Sequence, residues 1–280
     1  MEKNKKLKTM FITNNIEVAK IAQKYGVDRI WIDLEVLGKE ERQKGMNTVK
    51  SNHTIEDIKK IRPYLNESEL LVRINPINKN SKEEIEKVIE VGADIIMLPM
   101  WKSVEEVKQF ISLIENRVQT TLLLETKEAV ECLDEVLKLD GINEIHIGLN
   151  DLHLSYGLKF MFEPLVNGLV ENICKKIKEK GLPYGFGGIA KIGEGMLPAE
   201  DILEEHFRLG SSRIILSRSF CNLELINSYQ EVEEIFSKNI EKLKQVEKIL
   251  QNKSIKELEE HSFKVKRIVE EIIKNKQGEI

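Results

Sequence analysis

The chain has 280 residues, 41% of them hydrophobic and 32% charged, which is enough apolar material for a large core and too much for a disordered polymer. Its formal net charge is −4, with both signs interspersed. That excludes the concentrated basic face a nucleic acid would need, and the cluster Lys3, Lys5, Lys6 and Lys8 reads as a solvated terminus. No apolar run approaches the roughly 18 residues of a membrane span and no signal-peptide segment opens the chain, so a soluble, cytoplasmic protein is expected. Cys132, Cys174 and Cys221 stand at no metal-site spacing and read as reduced thiols.

In chain order, short apolar runs alternate with amphipathic stretches. The strands predicted are Lys8–Thr13, Arg29–Leu34, Glu69–Asn75, Asp94–Met100, Gln119–Glu125, Glu144–Leu149, Pro183–Gly188 and Arg213–Phe220. Helical periodicity falls between them, over Glu17–Tyr25, Ile55–Tyr64, Lys82–Val91, Val104–Asn116 and Lys127–Leu137. The pairs Thr54/Asp57, Ser81/Glu84 and Ser103/Glu106 have the spacing of capping boxes. Gly26, Gly92 and Gly181 sit just past helices, where a left-handed turn is wanted. Eight strands separated by helices predict an α/β fold, a (β/α)8 TIM barrel.

Two segments depart from the rhythm. Residues 35–53 form a long polar connection containing Gly38 and Gly45, and connections of that length are commonly functional. Beyond the eighth strand the chain is charged and helical, with one apolar stripe at Ile235, Ile240, Leu243, Val246 and Leu250 and another at Phe263, Val265, Ile268 and Ile272. The expected organisation is a catalytic barrel over residues 1–225 and a helical extension over residues 226–280, which packs on the barrel or on a neighbouring subunit of a homo-oligomer.

Barrel enzymes carry their chemistry at the C-terminal ends of the strands. Asp33 and Glu35, Arg73, Glu125, Asp151 and the pair Gly187-Gly188 fall there. Glu125 and Asp151 close successive strands. Two converging carboxylates repel unless a cation or shared proton lies between them, and Mg²⁺ or Mn²⁺ is the candidate, alongside the blander reading of acids favoured by helix N-termini. A 2-oxo acid can offer such an ion two oxygens. Arg73 at the end of a buried strand needs an anion: either a substrate oxygen gaining charge, or Asp33 or Glu125 in a structural ion pair. Gly187 and Gly188 either let the backbone approach substrate or simply make a tight turn.

The segments Trp31-Ile32-Asp33-Leu34-Glu35, Gly92 through Met100, and Leu124 through Val130 running on to Ile147-Gly148-Leu149-Asn150-Asp151-Leu152 resemble the HpcH/HpaI aldolase and citrate lyase family of the phosphoenolpyruvate/pyruvate barrel superfamily. The resemblance runs over roughly residues 8–220. It implies a metal-dependent carbon–carbon lyase or aldolase acting through the enolate of pyruvate or of an acyl-CoA. By motif position Glu125 and Asp151 correspond to metal ligands, Arg73 to the arginine on the pyruvate oxygen, and Asp33 to an aspartate supporting the catalytic base.

One departure stands out. The family's aldolases carry a histidine where this chain has Val36, which can neither take nor give a proton. His53 and Glu35 are the candidate replacements. The alternatives are an acyl-CoA lyase of the citryl- or malyl-CoA type, or a barrel that binds its ligand without turnover. Of the other histidines, His146 reads as interior, His153 as a surface residue, and His206 and His261 as solvated. A Schiff-base mechanism is disfavoured, because no lysine lies in the cores of strands two to eight; Lys102 and Lys191 only follow strands.

Overall fold

The computed structural model describes residues 6–38 and 52–278; most of the polar connection, with Gly45, lies outside them, as do Lys3 and Lys5. The strands are β1 (Lys8–Ile12), β2 (Arg29–Asp33), β3 (Glu69–Arg73), β4 (Ile95–Leu98), β5 (Gln119–Leu124), β6 (Glu144–Ile147), β7 (Tyr184–Ile189) and β8 (Arg213–Leu216). They follow one another in chain order around a closed, parallel TIM barrel. Each strand begins within one residue of its predicted start, and all but β7, which ends one residue later, end one to four residues earlier than predicted. Asp33 and Arg73 are the last residues of β2 and β3 and Gly187-Gly188 lie within β7, whereas Glu35, Glu125 and Asp151 follow their strands.

The helices are α1 (Ile16–Lys24), α2 (Ile55–Ile61), α3 (Ser81–Glu90), α4 (Val104–Ile114), α5 (Lys127–Glu131), α6 (Leu133–Val136), α7 (Leu149–Ser155), α8 (Glu163–Val166), α9 (Leu169–Lys180), α10 (Ala199–Leu209), α11 (Tyr229–Leu250) and α12 (Ile255–Gly278). Thr54/Asp57 and Ser103/Glu106 form the capping boxes expected of them. Ser81/Glu84 does not: Asn80 is the N-cap and makes no side-chain cap bond, Ser81 Oγ accepts from the Asn78 N–H, and Glu84 is diverted to Asn75. The helix predicted over Lys127–Leu137 is two pieces, broken at Cys132.

The chain divides into two compact units. The first is Met10–Ile145. Here the register sets Arg29 opposite Glu69, Trp31 opposite Leu71 and Asp33 opposite Arg73. Arg29, on β2, reaches Glu144 on β6 through Nη1 and Nη2 at 2.5 and 3.0 Å, and Thr121 Oγ1 donates to the same carboxylate at 2.8 Å. β2 and β6 are not neighbours in the barrel, so this face of β2 points inward. Strand side chains alternate with period two. Asp33 therefore shares the interior face with Arg29, and Arg73 lies beside it in register.

The second unit runs from His146 onward together with the residues up to Thr9. A side chain at Gly185 would put its Cβ 2.2 Å from the Arg213 carbonyl oxygen, so the close β7–β8 contact requires glycine there. α11 buries Val232, Phe236, Asn239, Ile240, Leu243, Glu247 and Leu250. α12 packs against α10 and α8 through Leu258, Val265 and Val269, whereas Phe263, expected in that stripe, is exposed. No helix among the described residues is long and apolar enough to cross a membrane.

Candidate functional site

At the C-terminal ends of β2, β3 and β5 in the first unit, three carboxylates are withdrawn from water: Asp33 and Glu35 are each 1% exposed and Glu125 is 3% exposed. Arg73 is the cation among them. Its Nε and Nη2 donate to the two oxygens of Asp33, each at 2.8 Å, and Nη1 lies 3.2 Å from Glu35 Oε2. Burial pulls the guanidinium pKa down, but Asp33 and Glu35, with Glu125 beyond them, outweigh it and hold the group above its ordinary value. Arg73 stays charged, with donors to spare on Nη1 and Nη2.

Below the guanidinium lies the Trp31 ring, 5.2 Å from Cζ to the ring centroid. The Trp31 indole N–H is buried and has no partner among the described residues. An unpaired buried donor next to a buried cation suits an oxygen-rich ligand or an ordered water.

Glu125 follows β5 directly, and its Oε1 accepts the Met100 N–H at 3.1 Å. Met100 has φ 53, a left-handed conformation that costs a non-glycine residue free energy and collects at functional sites. Thr126, the residue after Glu125 in the chain, caps α5. Met100 is the predicted end of the fourth strand, but nothing in the residue order signals its left-handed torsion.

The turn after β2 is held at every amide. The Asp33 N–H donates to His53 Nδ1 at 3.0 Å, Leu34 to the Arg73 carbonyl, Glu35 to Asp33 Oδ1, and Val36 and Leu37 both to Asn75 Oδ1 at 2.9 and 3.0 Å. Glu35 is thereby turned inward against Arg73, while Val36 is 56% exposed. His53 is half-buried, and because its Nδ1 accepts a hydrogen bond, the ring proton sits on Nε2. The sequence places Asn75 at the end of the third strand and Glu84 in a capping box, but does not show that the two are partners.

In the second unit Asp151 is half-buried in the first turn of α7. Gly187 has φ 51, and a Cβ there would meet Leu149 Cδ1 at 2.7 Å; its carbonyl lies 3.1 Å from His146 Nε2. Gly188 would meet the Ile215 carbonyl oxygen at 3.2 Å. His146 is interior as expected. His153, predicted at the surface, is buried. His206 and His261, predicted to be solvated, are not: His206 is fully buried and stacked on Phe186 at 3.9 Å, and His261 Nε2 lies 2.9 Å from Asp201 Oδ1, mostly shielded from water. Both helices turn these faces to the protein rather than to solvent.

Lys102 is exposed and Lys191 pairs with Glu194, so neither is the desolvated amine that Schiff-base chemistry wants. Burial pushes the Cys174 thiol up to about 12 and Cys221 up to about 11, which leaves both unreactive.

The HpcH/HpaI aldolase/citrate lyase family model matches residues 8–163, more than half of the chain. This chain belongs to that family. Among curated relatives, the 2-keto-3-deoxy-L-rhamnonate aldolase of Escherichia coli (strain K12) is 28% identical over 148 residues, covering 42% of this chain and 55% of the relative. The chain thus spans about half the length of the curated relatives it matches. Solved structures share the fold. An HpcH/HpaI aldolase/citrate lyase family protein from Burkholderia cenocepacia J2315 superposes with a TM-score of 0.62 at 14% identity, covering 87% of this chain and 96% of that one. The citrate synthase SbnG does so with a TM-score of 0.59 at 17% identity, covering 86% and 95%.

Among the described residues no cluster of three or more His, Cys, Asp and Glu side chains is arranged to hold a metal ion. Mg²⁺ and Mn²⁺ commonly take only one or two protein carboxylates, completed by water and substrate oxygens. Glu125 offers such a hard oxygen ligand.

Proposed function

We propose that this chain makes or breaks a carbon–carbon bond next to the carbonyl of a small 2-oxo acid of the pyruvate kind, with Mg²⁺ or Mn²⁺ as cofactor. The observation that supports this reading is the Arg73 guanidinium set among Asp33, Glu35 and Glu125 at the ends of β2, β3 and β5. Glu125 is the first carboxylate for the ion, and Asp151 is assigned as the second from its place in the sequence after β6. When bound, the ion supplies Lewis-acid polarisation of the substrate oxygens.

The chain's own residues account for the rest. Asp33 fixes the plane of the Arg73 fork. Arg73 keeps its charge and offers its remaining N–H groups to the substrate oxygen on which negative charge develops, an interaction strongest in the transition state. Glu35, buried beside Arg73, is the group assigned to take and return the proton. His53 steadies the end of β2 by accepting the Asp33 N–H at Nδ1, and it is the second candidate for the proton transfer. Trp31 closes the floor and keeps water from the reacting carbon.

Incubation with pyruvate in D2O, with and without Mg²⁺ or Mn²⁺, tests the reading through deuterium uptake at the methyl group followed by NMR. Metal-dependent uptake is expected. Absence of uptake with either ion would sink it; pyruvate binding without uptake would leave the ligand-binding alternative, which the exchange of the family histidine for Val36 favours.

A further inference from the structure

Asn75 sits outside the groups assigned to the chemistry, yet it joins three elements. Its Oδ1 takes the N–H groups of Val36 and Leu37. Its Nδ2 donates to Glu84 Oε1 at 2.8 Å and to the Leu34 carbonyl at 3.3 Å, and its backbone N–H also donates to Glu84 at 3.2 Å. A carboxylate can only accept, so Glu84 settles which end of the amide faces the turn. Glu84 in turn stands on the first turn of α3 and has given up the capping role its spacing suggests.

We infer that Asn75, oriented by Glu84, is a positioning residue: it clamps the Val36–Leu37 backbone and so fixes the Glu35 carboxylate beside Arg73. The inference rests on the function proposed above for what Glu35 does, but not for the clamp itself. The geometry argues for a dedicated device. One side-chain oxygen receives two successive amides, which turns the backbone sharply enough to send side chain 35 inward and side chain 36 outward. Among the described residues no other side chain holds those two amides. Burial raises the Glu84 pKa and its bonds from Asn75 lower it, so the carboxylate and the amide depend on each other.

Two measurements on the full chain test this. In Asn75→Ala, hydrogen–deuterium exchange at the Val36 and Leu37 amides should accelerate roughly tenfold or more, as for the loss of a net hydrogen bond each, with amides in β5 unchanged. The pyruvate methyl-exchange rate should fall through kcat rather than KM. In an Glu35→Gln background the same Asn75→Ala change should cost little further rate, because its effect runs through Glu35. Asn75→Asp keeps the acceptor but sets a second carboxylate against Glu84; it should work better as pH falls and the pair takes up a proton, and Glu84→Gln in the same chain should remove that pH dependence.

Unchanged amide exchange in Asn75→Ala overturns the clamp. Accelerated exchange with fully additive rate effects of Asn75→Ala and Glu35→Gln overturns the positioning of Glu35. A wild-type chain that never labels pyruvate defeats the proposed function instead, and the clamp is then judged by amide exchange alone, which needs no substrate.

Discussion

Asp33 and Arg73 stand opposite one another in the β2–β3 register and are joined by two parallel hydrogen bonds of 2.8 Å. The strand pairing itself thus sets the orientation of the cation. Arg73→Lys keeps the charge and loses the fork. Pyruvate methyl exchange is expected to drop about 100-fold or more, while the thermal midpoint moves little. Asp33→Ala removes the main partner of a buried guanidinium and should cost about 3 kcal/mol in urea unfolding.

Glu125→Gln preserves shape and an acceptor for the Met100 N–H but removes the negative charge. Mn²⁺ affinity, read by electron paramagnetic resonance of the free ion, should weaken by at least about 10–100-fold. Unaltered affinity would remove Glu125 from the metal assignment.

At the opposite end of the interior, Arg29 is buried between Glu144 and Glu69. Removing Glu144 leaves the buried guanidinium with Glu69 and without its two-oxygen partner, so Glu144→Leu should destabilise by about 3 kcal/mol. Arg29→Met together with Glu144→Leu should recover a large part of that loss. The two free energies come from urea curves of the single and double variants, and simple additivity would mean the pair is not a coupled unit.

His206 gives a pH dependence with a definite sign. Burial, and then the charge of His146, push its pKa well below the ordinary 6.5, so below that pH the unfolded chain binds a proton that the folded chain refuses. Stability should hold above about pH 6.5 and fall as the pH drops below it, with a slope of up to about 1.4 kcal/mol per pH unit from this group. His206→Phe should flatten that slope between about pH 6.5 and 5; an unchanged slope would assign it to other groups.

The barrel was legible because its strands are apolar on both faces and their spacing admits no other common architecture. The ends of β2, β3 and β5 were legible as well, since a lone Arg73 or Glu125 after a run of Leu and Val has to meet a charge. What escaped was anything set by backbone direction. Ser81 and Glu84 have capping-box spacing, but Asn75 competes for Glu84 and wins, because a half-buried amide needs a partner more than an exposed helix end does. His206 and His261 fall on polar-looking helices, and only the packing of α12 on α10 shows that those faces are covered. Met100 is a matter of one torsion angle, which residue order does not reveal.

The outward turn of Val36 bears on any attempt at repair. With its amide tied to Asn75 and its side chain in water, an imidazole grafted onto that position would point away from Arg73, so Val36→His alone should leave the exchange rate where it was. Bringing an imidazole to this rim from position 36 requires re-routing the main chain at residues 35–37, not exchanging a single side chain.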